Sequence, residues 1–358
     1  MPCCDQIRTA LPNGTAAWVS SPANCQYFSG FAADNCLCLL SKHGAYYLTD
    51  RRFLEAAQKT VTTLEVRDIE QLDALLSELP ERRFAVEAEH TTLAALLRRK
   101  KRYPKLDFST EDGLDKLIAD LRTVKTTQEI ASIRCAQMIA EQALAQILPN
   151  IRVGRMEKEI ALELDFAMLS LGAEAMSFDT IAVGGENGSL PHGVPSARTL
   201  HNGDLLTLDF GAVVNGYHSD MTRTFAVGEP GEEQRKVYAL VLAAQEAGIC
   251  AIRPGTACKD VDAAVRAVFD AAGMGAYFVH STGHGVGLEI HEAPTLSKNS
   301  DDILREGMVV TVEPGLYLPG RFGVRIENMV VVGNKAAAHH NAGGCVNLTE
   351  FSKVLQVL

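Results

Sequence analysis

The chain has 358 residues, long for a single core and short for three, so two domains are expected. Hydrophobic residues make up 47% and charged residues 22%, enough apolar material for a large core and too little charge for disorder. A net charge of -10 and a pI near 5.5 argue against nucleic-acid or anionic-membrane partners, both of which need a basic face.

Nine cysteines form an odd, scattered set, unlike a disulfide framework, and point to a reducing cytoplasm. No basic leader followed by an apolar run begins the chain, and no stretch of about 18 apolar residues occurs, so neither export nor membrane insertion is expected.

In chain order, residues 1–122 alternate short apolar strands, such as Cys36 to Leu40 and Ala45 to Leu48, with helical segments such as Gln71 to Leu79. This reads as a small α/β domain with no His, Cys or acid cluster at ligand spacing. The polar stretch from Asp120 to Lys125 marks a boundary, and Thr126 with Glu129 forms a capping box that starts a helix running to Ile147. Its apolar positions Ile130, Ile133, Ala136, Ala140, Ala143 and Ile147 keep the spacing of one buried face. A second helix, Met156 to Leu171, is stopped by Gly172.

From Asp204 the texture becomes strand. LLTLDFGAVV, the turn pair Asn215 and Gly216, and a second extended run read as a hairpin. Two helices follow, Glu232 to Ala247 and Lys259 to Ala272, then strands at Met308 to Glu313 and Val324 to Val332. Residues 123–358 are therefore an α+β domain of helices over an antiparallel or mixed sheet.

The chemistry is carried by acids in apolar strands. With a two-residue turn, Asp209 faces position 222 and Asp220 is its same-face diagonal neighbour. Asp209 sits among Leu205, Leu206, Leu208 and Phe210, so it is expected to be buried, and a buried carboxylate needs a positive partner. Glu313 in VVTVEPGLY and Glu327 in VRIENMVVV repeat the pattern. Any one of these acids alone is an ordinary structural residue; four together call for a shared cation. His284, flanked by Gly283, Gly285 and Gly287, adds a nitrogen to a set of oxygens that suits manganese, iron, cobalt or zinc. Two dications fit four carboxylates, and such a pair is a device for hydrolysis.

The runs LDFGAVVNGYHSDMTRTF, GHGVGLEIHEAP, MVVTVEPGLY and GVRIEN resemble the pita-bread metallopeptidases of the aminopeptidase P, prolidase and methionine aminopeptidase family. YFSGFAADNCLCLL and YYLTDRRFLEAA are similar to the creatinase-like amino-terminal domain of its proline-directed branch. The resemblance implies a creatinase-like domain over residues 1–122 and a pita-bread (creatinase/aminopeptidase) catalytic domain over residues 123–358. It implies that Asp209, Asp220, His284, Glu313 and Glu327 hold two divalent ions, manganese first, with cobalt, zinc or iron as substitutes.

His192, in GENGSLPHG, and His291 are implied to hold the peptide and its tetrahedral intermediate, with Glu313 moving the proton. The bland readings are an exposed loop imidazole for His192 and a chance loop spacing for His291. Arg325 is expected to pair with an acidic ligand rather than stand as a surface charge. Tyr217, His218 and His280 are weaker candidates, and His201, His339 and His340 read as surface residues.

The expected substrate is a peptide with proline in the second position, cleaved by a homodimer. Some prolidases place an Arg shortly after the second His of this loop; HEAPTLSKNSD offers Thr295 and Lys298 instead. The preferred expectation is therefore an Xaa-Pro aminopeptidase, with an Xaa-Pro dipeptidase as the alternative. Methionine aminopeptidase normally lacks a domain like residues 1–122. A non-catalytic pita-bread binding module and a creatinase acting on a guanidino substrate without the metal pair are further alternatives, both disfavoured by retention of all five ligand residues.

Overall fold

A computed structural model describes residues 2–333 and 344–358, so His339 and His340 lie outside the described residues. Two compact units are present, Met1–Arg122 and Thr123–Leu358.

The first unit is built on a six-stranded mixed sheet. Its spatial order is Glu65–Asp68, Gly44–Thr49, Cys36–Ser41, Thr15–Val19, Arg83–Val86 and Asp107–Ser109. Both faces are buried. Cys38, Leu40 and Tyr47 lie in a cluster with the helical residues Cys25 and Ala57, whereas Trp18, Leu37 and Leu39 pack with Leu75, Phe84 and Phe108. Alternation along the strands sends successive side chains to opposite cores. The helix Leu114–Thr123 extends into the polar segment expected as a linker, which is thus helical as far as Thr123.

The second unit carries the expected capping box. Thr126 Oγ1 accepts from Glu129 N at 3.3 Å, and Glu129 Oε2 accepts from Thr126 N at 2.6 Å. The helix spans Thr127–Ile147 and buries all six apolar positions of the predicted face. The next helix, Glu157–Ser170, is followed by Gly172 at φ 103°. Helices Glu232–Ala251 and Cys258–Ala271 follow the hairpin.

The hairpin register is the one the Asn-Gly turn dictates. Val214 pairs with Tyr217 across Asn215 (φ 52°) and Gly216 (φ 74°), and Thr222 pairs with Asp209. Positive φ at both central residues is the signature of a type I′ turn, whose twist matches that of the flanking strands. On Asp204–Phe210, residues Leu206, Leu208 and Phe210 enter the core formed with the first two helices, and Leu205 enters the core formed with the last two. Along that second face the side chains run Leu205, Thr207, Asp209, so the apolar character falls away toward the site.

A five-stranded antiparallel sheet orders Glu292–Leu296, Gly283–Gly285, Val309–Val312, Asn328–Val332 and Cys345–Asn347. The single strand expected over Val324 to Val332 is two strands. Phe322–Arg325 pairs with Gly315–Leu318, and Asn328–Val332 pairs with Val309–Val312. The break falls at Ile326 and Glu327. Arg223, fully buried, spans it by donating to the carbonyl oxygens of Thr222 and Glu327 and to Asn328 Oδ1.

Candidate metal centre

Five predicted residues converge at the ends of these strands. Asp209, Asp220, His284, Glu313 and Glu327 all line one cavity of 930 Å³ within the second unit. His284 Nε2 lies 3.5 Å from Asp220 Oδ2 and 3.4 Å from Glu313 Oε1. Donor atoms of Asp220, His284 and Glu327 sit within 4.8 Å of one another.

The supporting bonds leave specific lone pairs exposed to one another. Thr222 Oγ1 donates to Glu327 Oε2 at 2.7 Å, and Arg325 Nη2 donates to Asp209 Oδ2 at 2.6 Å. The second oxygens, Asp209 Oδ1 and Glu327 Oε1, are buried without a hydrogen-bond partner. His284 Nδ1 donates to the Gly285 carbonyl at 3.1 Å, which assigns the proton to that nitrogen and aims the Nε2 lone pair at two carboxylates. Burial pushes Glu313 up to about 8 and holds Asp220 and Glu327 well above the usual carboxylate range, with the neighbouring acids adding to it. Burial also pulls His284 down to about 4. Four acids stand against the single guanidinium of Arg325. Buried carboxylate oxygens that converge with no hydrogen-bond donor to serve them fit bound cations, and the donor set of carboxylate oxygens with one imidazole suits divalent ions.

The other predicted residues divide. His192, His280, His291 and Arg325 line the cavity. The His291 ring packs edge-on against that of His284, centroids 4.5 Å apart. His280 is fully engaged: Nδ1 donates to the Ser281 carbonyl at 2.8 Å, and Nε2 lies 2.8 Å from the Tyr317 hydroxyl. Burial, reinforced by Arg325, lowers it to about 4, so it is neutral at pH 7. Tyr217 is not among the lining residues. The tight turn points its hydroxyl toward the first helix of this unit, where it donates to Glu129 at 2.6 Å. His218, next to Tyr217 on the same short strand, is half-buried, and burial lowers its pKa.

Several supporting residues escape a reading of the sequence. Tyr317 accepts from Arg325 Nη1 at 2.6 Å and links it to His280. Glu157, buried on the second helix, accepts from the backbone N–H groups of Gly184 and Ser196 and from Asn187 Nδ2, holding both ends of the loop that carries His192. Lys125, also buried, lies 3.2 Å from Glu292, the residue after His291. A helix-borne Glu facing a loop leaves no periodic trace, whereas Tyr317, four residues past Glu313, was within reach of the motif.

The sequence profile of Metallopeptidase family M24 matches residues 131–334, and that of the Creatinase/Prolidase N-terminal domain matches residues 14–124. The chain belongs to metallopeptidase family M24. It is a metal-dependent peptidase, with a creatinase-like amino-terminal domain followed by the pita-bread catalytic domain. It is similar to the Xaa-Pro dipeptidase from Bacillus anthracis, with a TM-score of 0.93 and 37% identity, covering 100% of this chain and 99% of that one. It is also similar to the X-Pro aminopeptidase from Thermotoga maritima, with a TM-score of 0.88 and 34% identity over 96% and 97% of the two chains. The Xaa-Pro dipeptidase of Pyrococcus furiosus is 45% identical over 224 residues, 63% of this chain and 64% of that protein.

Proposed function

We propose that this M24 peptidase is an Xaa-Pro dipeptidase, hydrolysing the bond between an amino-terminal residue and a carboxy-terminal proline. This replaces the aminopeptidase preference. The observation that carries the reading is the likeness of the whole chain to the Bacillus anthracis dipeptidase, and the identity to the Pyrococcus furiosus dipeptidase points the same way. The aminopeptidase argument rested on a missing Arg after His291. That argument is weakened by a cavity wall that offers the imidazoles of His192 and His291 and the hydroxyl of Thr295 to a substrate carboxylate.

In this reading Asp209, Asp220, His284, Glu313 and Glu327 hold two divalent ions, manganese by preference. Bound there, such ions polarise a scissile carbonyl and lower the pKa of water. Glu313 takes up and passes on the proton; Thr311 Oγ1 steadies its Oε1 at 3.4 Å, the oxygen facing His284. His192 and His291 orient the peptide and donate to the oxygen that gains charge in the tetrahedral intermediate. Arg325 orients Asp209 through its Oδ2, and Tyr317 and His280 hold Arg325.

The same reading makes the protein a cytoplasmic homodimer. The nine cysteines are an odd, scattered set unlike a disulfide framework, in keeping with a reducing compartment, and no described helix is long and apolar enough to cross a membrane. Sedimentation of the purified chain tests the dimer.

Specificity is tested by comparing Leu-Pro with Leu-Pro-Gly, each with manganese, cobalt and zinc. Turnover confined to the dipeptide is expected. Equal or faster cleavage of the tripeptide would restore the aminopeptidase reading, and no metal-stimulated cleavage of either would favour a binding module.

A further inference from the structure

The first unit contains a second cavity, a cleft of 400 Å³. One wall is apolar, formed by Trp18, Leu37 and Leu72. Arg99, on the helix Leu93–Arg102, faces it and is partly buried. Its Nη1 donates to Thr91 Oγ1 at 3.3 Å, its Nη2 donates to Ser20 Oγ at 3.2 Å, and its guanidinium lies 5.1 Å from the centre of the Trp18 ring. These are long bonds to neutral hydroxyls. Among the described residues no carboxylate lies within ion-pair distance of Arg99, whereas Arg102 of the same helix pairs with Asp73 at 2.9 Å.

Glu87 acts on Arg99 through space, but its oxygens are already taken by the backbone N–H groups of Ser20 and Ser21, the Ser21 hydroxyl and Asn24 Nδ2. A guanidinium that has lost part of its hydration without gaining a carboxylate has unused fork geometry. The same cleft is lined by Asp34, an exposed acid that makes no hydrogen bond or ion pair among the described residues and acts on Arg52 through space. One unpaired cation and one unpaired anion facing an apolar wall are complementary to a zwitterion with an apolar side chain. A lone phosphate would meet Asp34 as a like charge, and a purely apolar ligand would leave both charges unserved. The volume falls in the range of small-ligand pockets, about 300–1,000 Å³.

We propose that this cleft binds a free amino acid with an apolar side chain, its carboxylate on Arg99 with Ser20 and Thr91, its ammonium on Asp34. Free amino acids are what a peptidase releases, so the site would take a product class in a unit that houses none of the metal-centre residues.

Calorimetry with L-leucine on the full metal-loaded chain tests the assignment. Binding should persist in Glu327→Gln, which alters the metal centre. It should weaken about tenfold or more in both Arg99→Met and Arg99→Lys, since neither presents a fork, and by a smaller factor in Asp34→Asn. Leucinamide, lacking the carboxylate, should not bind, and 4-methylpentanoate, lacking the ammonium, should bind more weakly than leucine. Circular dichroism checks that the variants fold, and crystals soaked in L-leucine give a readout that needs no variant. Equal leucine affinity in wild type and both Arg99 variants, loss of binding in Glu327→Gln, or a soaked cleft holding water alone would overturn the proposal.

Discussion

Replacing Arg325 by methionine tests how the centre is held together. Arg325 is 3% exposed and donates four hydrogen bonds: to Asp209 Oδ2 at 2.6 Å, the Tyr317 hydroxyl at 2.6 Å, the Pro191 carbonyl at 3.1 Å and Thr222 Oγ1 at 3.1 Å. Methionine fills much of the same volume and supplies none of them. Removing one partner of a buried ion pair costs about 3–5 kcal/mol, because the remaining charge is left buried and unpaired. In the metal-free protein that charge is Asp209. With ions bound, positive charge is supplied from the other side and the cost should fall to about 1–2 kcal/mol, the penalty for the neutral acceptors alone. The assay is urea unfolding followed by circular dichroism, once in chelator and once in excess manganese. For a slope of about 3 kcal/mol per molar urea, the midpoint should drop by about 1–1.7 M in chelator and by less than about 0.7 M with manganese. An equal drop in both conditions would show that Asp209 does not face the bound ions, and the ligand assignment would fail with it.

The metal-free protein should also lose stability as pH rises. Glu313 titrates near 8 when folded, and Asp220 and Glu327 titrate well above their ordinary range, so between about pH 4.3 and 8 the folded state binds more protons than the unfolded one. Each such group removes about 1.4 kcal/mol per pH unit across its window. Bound metal takes the place of those protons, so the gap in melting temperature between manganese-loaded and chelated protein should widen from pH 5.5 to pH 8, as scanning calorimetry would record. Asp220→Asn, which removes a carboxyl group that is costly to ionise in this site, should raise the metal-free melting temperature at pH 8 by a few degrees while sharply lowering metal-dependent kcat; a destabilised chelated variant would contradict this. Glu157→Ala frees two backbone N–H groups at the ends of the His192 loop and should cost about 2–3 kcal/mol. Its effect on Leu-Pro hydrolysis should appear in kcat, with metal affinity by calorimetry unchanged.

How far the sequence carries depends on which residues are asked. The hairpin was legible because Asn215 and Gly216 fix a two-residue turn, and a two-residue turn fixes the pairing of Asp209 with Thr222. The first helix of the catalytic unit was legible because its cap and its apolar period agree. The strand expected from Val324 to Val332 was not, because hydrophobicity is continuous through Ile326 and carries no mark of the change of sheet. That change explains why an acid can occupy position 327: it lies at the break between the two strands, where its carboxylate accepts from Thr222 of the hairpin. Tyr217 was misplaced for the opposite reason. Nearness to the ligand motif suggested proximity in space, but strand alternation and the turn carry its hydroxyl to Glu129.

The same two-sheet arrangement determines what metal loading must do for the fold. Thr222 receives a bond from Arg325 Nε, gives one to Glu327 Oε2 and accepts from Glu327 N through its own carbonyl, so one hydroxyl-bearing residue ties the hairpin to both segments flanking the break. Arg223, next in the chain and facing away, ties the same break from behind through the Glu327 carbonyl. The Glu327 backbone is thus fixed on both sides independently of any ion, while its second carboxylate oxygen and that of Asp209 are left unserved. A site whose backbone is held in this way is expected to bind cations without a folding step. Thr222→Val, which keeps shape and strand preference but deletes the hydroxyl, should therefore weaken metal binding by about tenfold while leaving the manganese-loaded fold intact by circular dichroism. Unchanged metal affinity in that variant would mean that the ions, not the hairpin, orient Glu327.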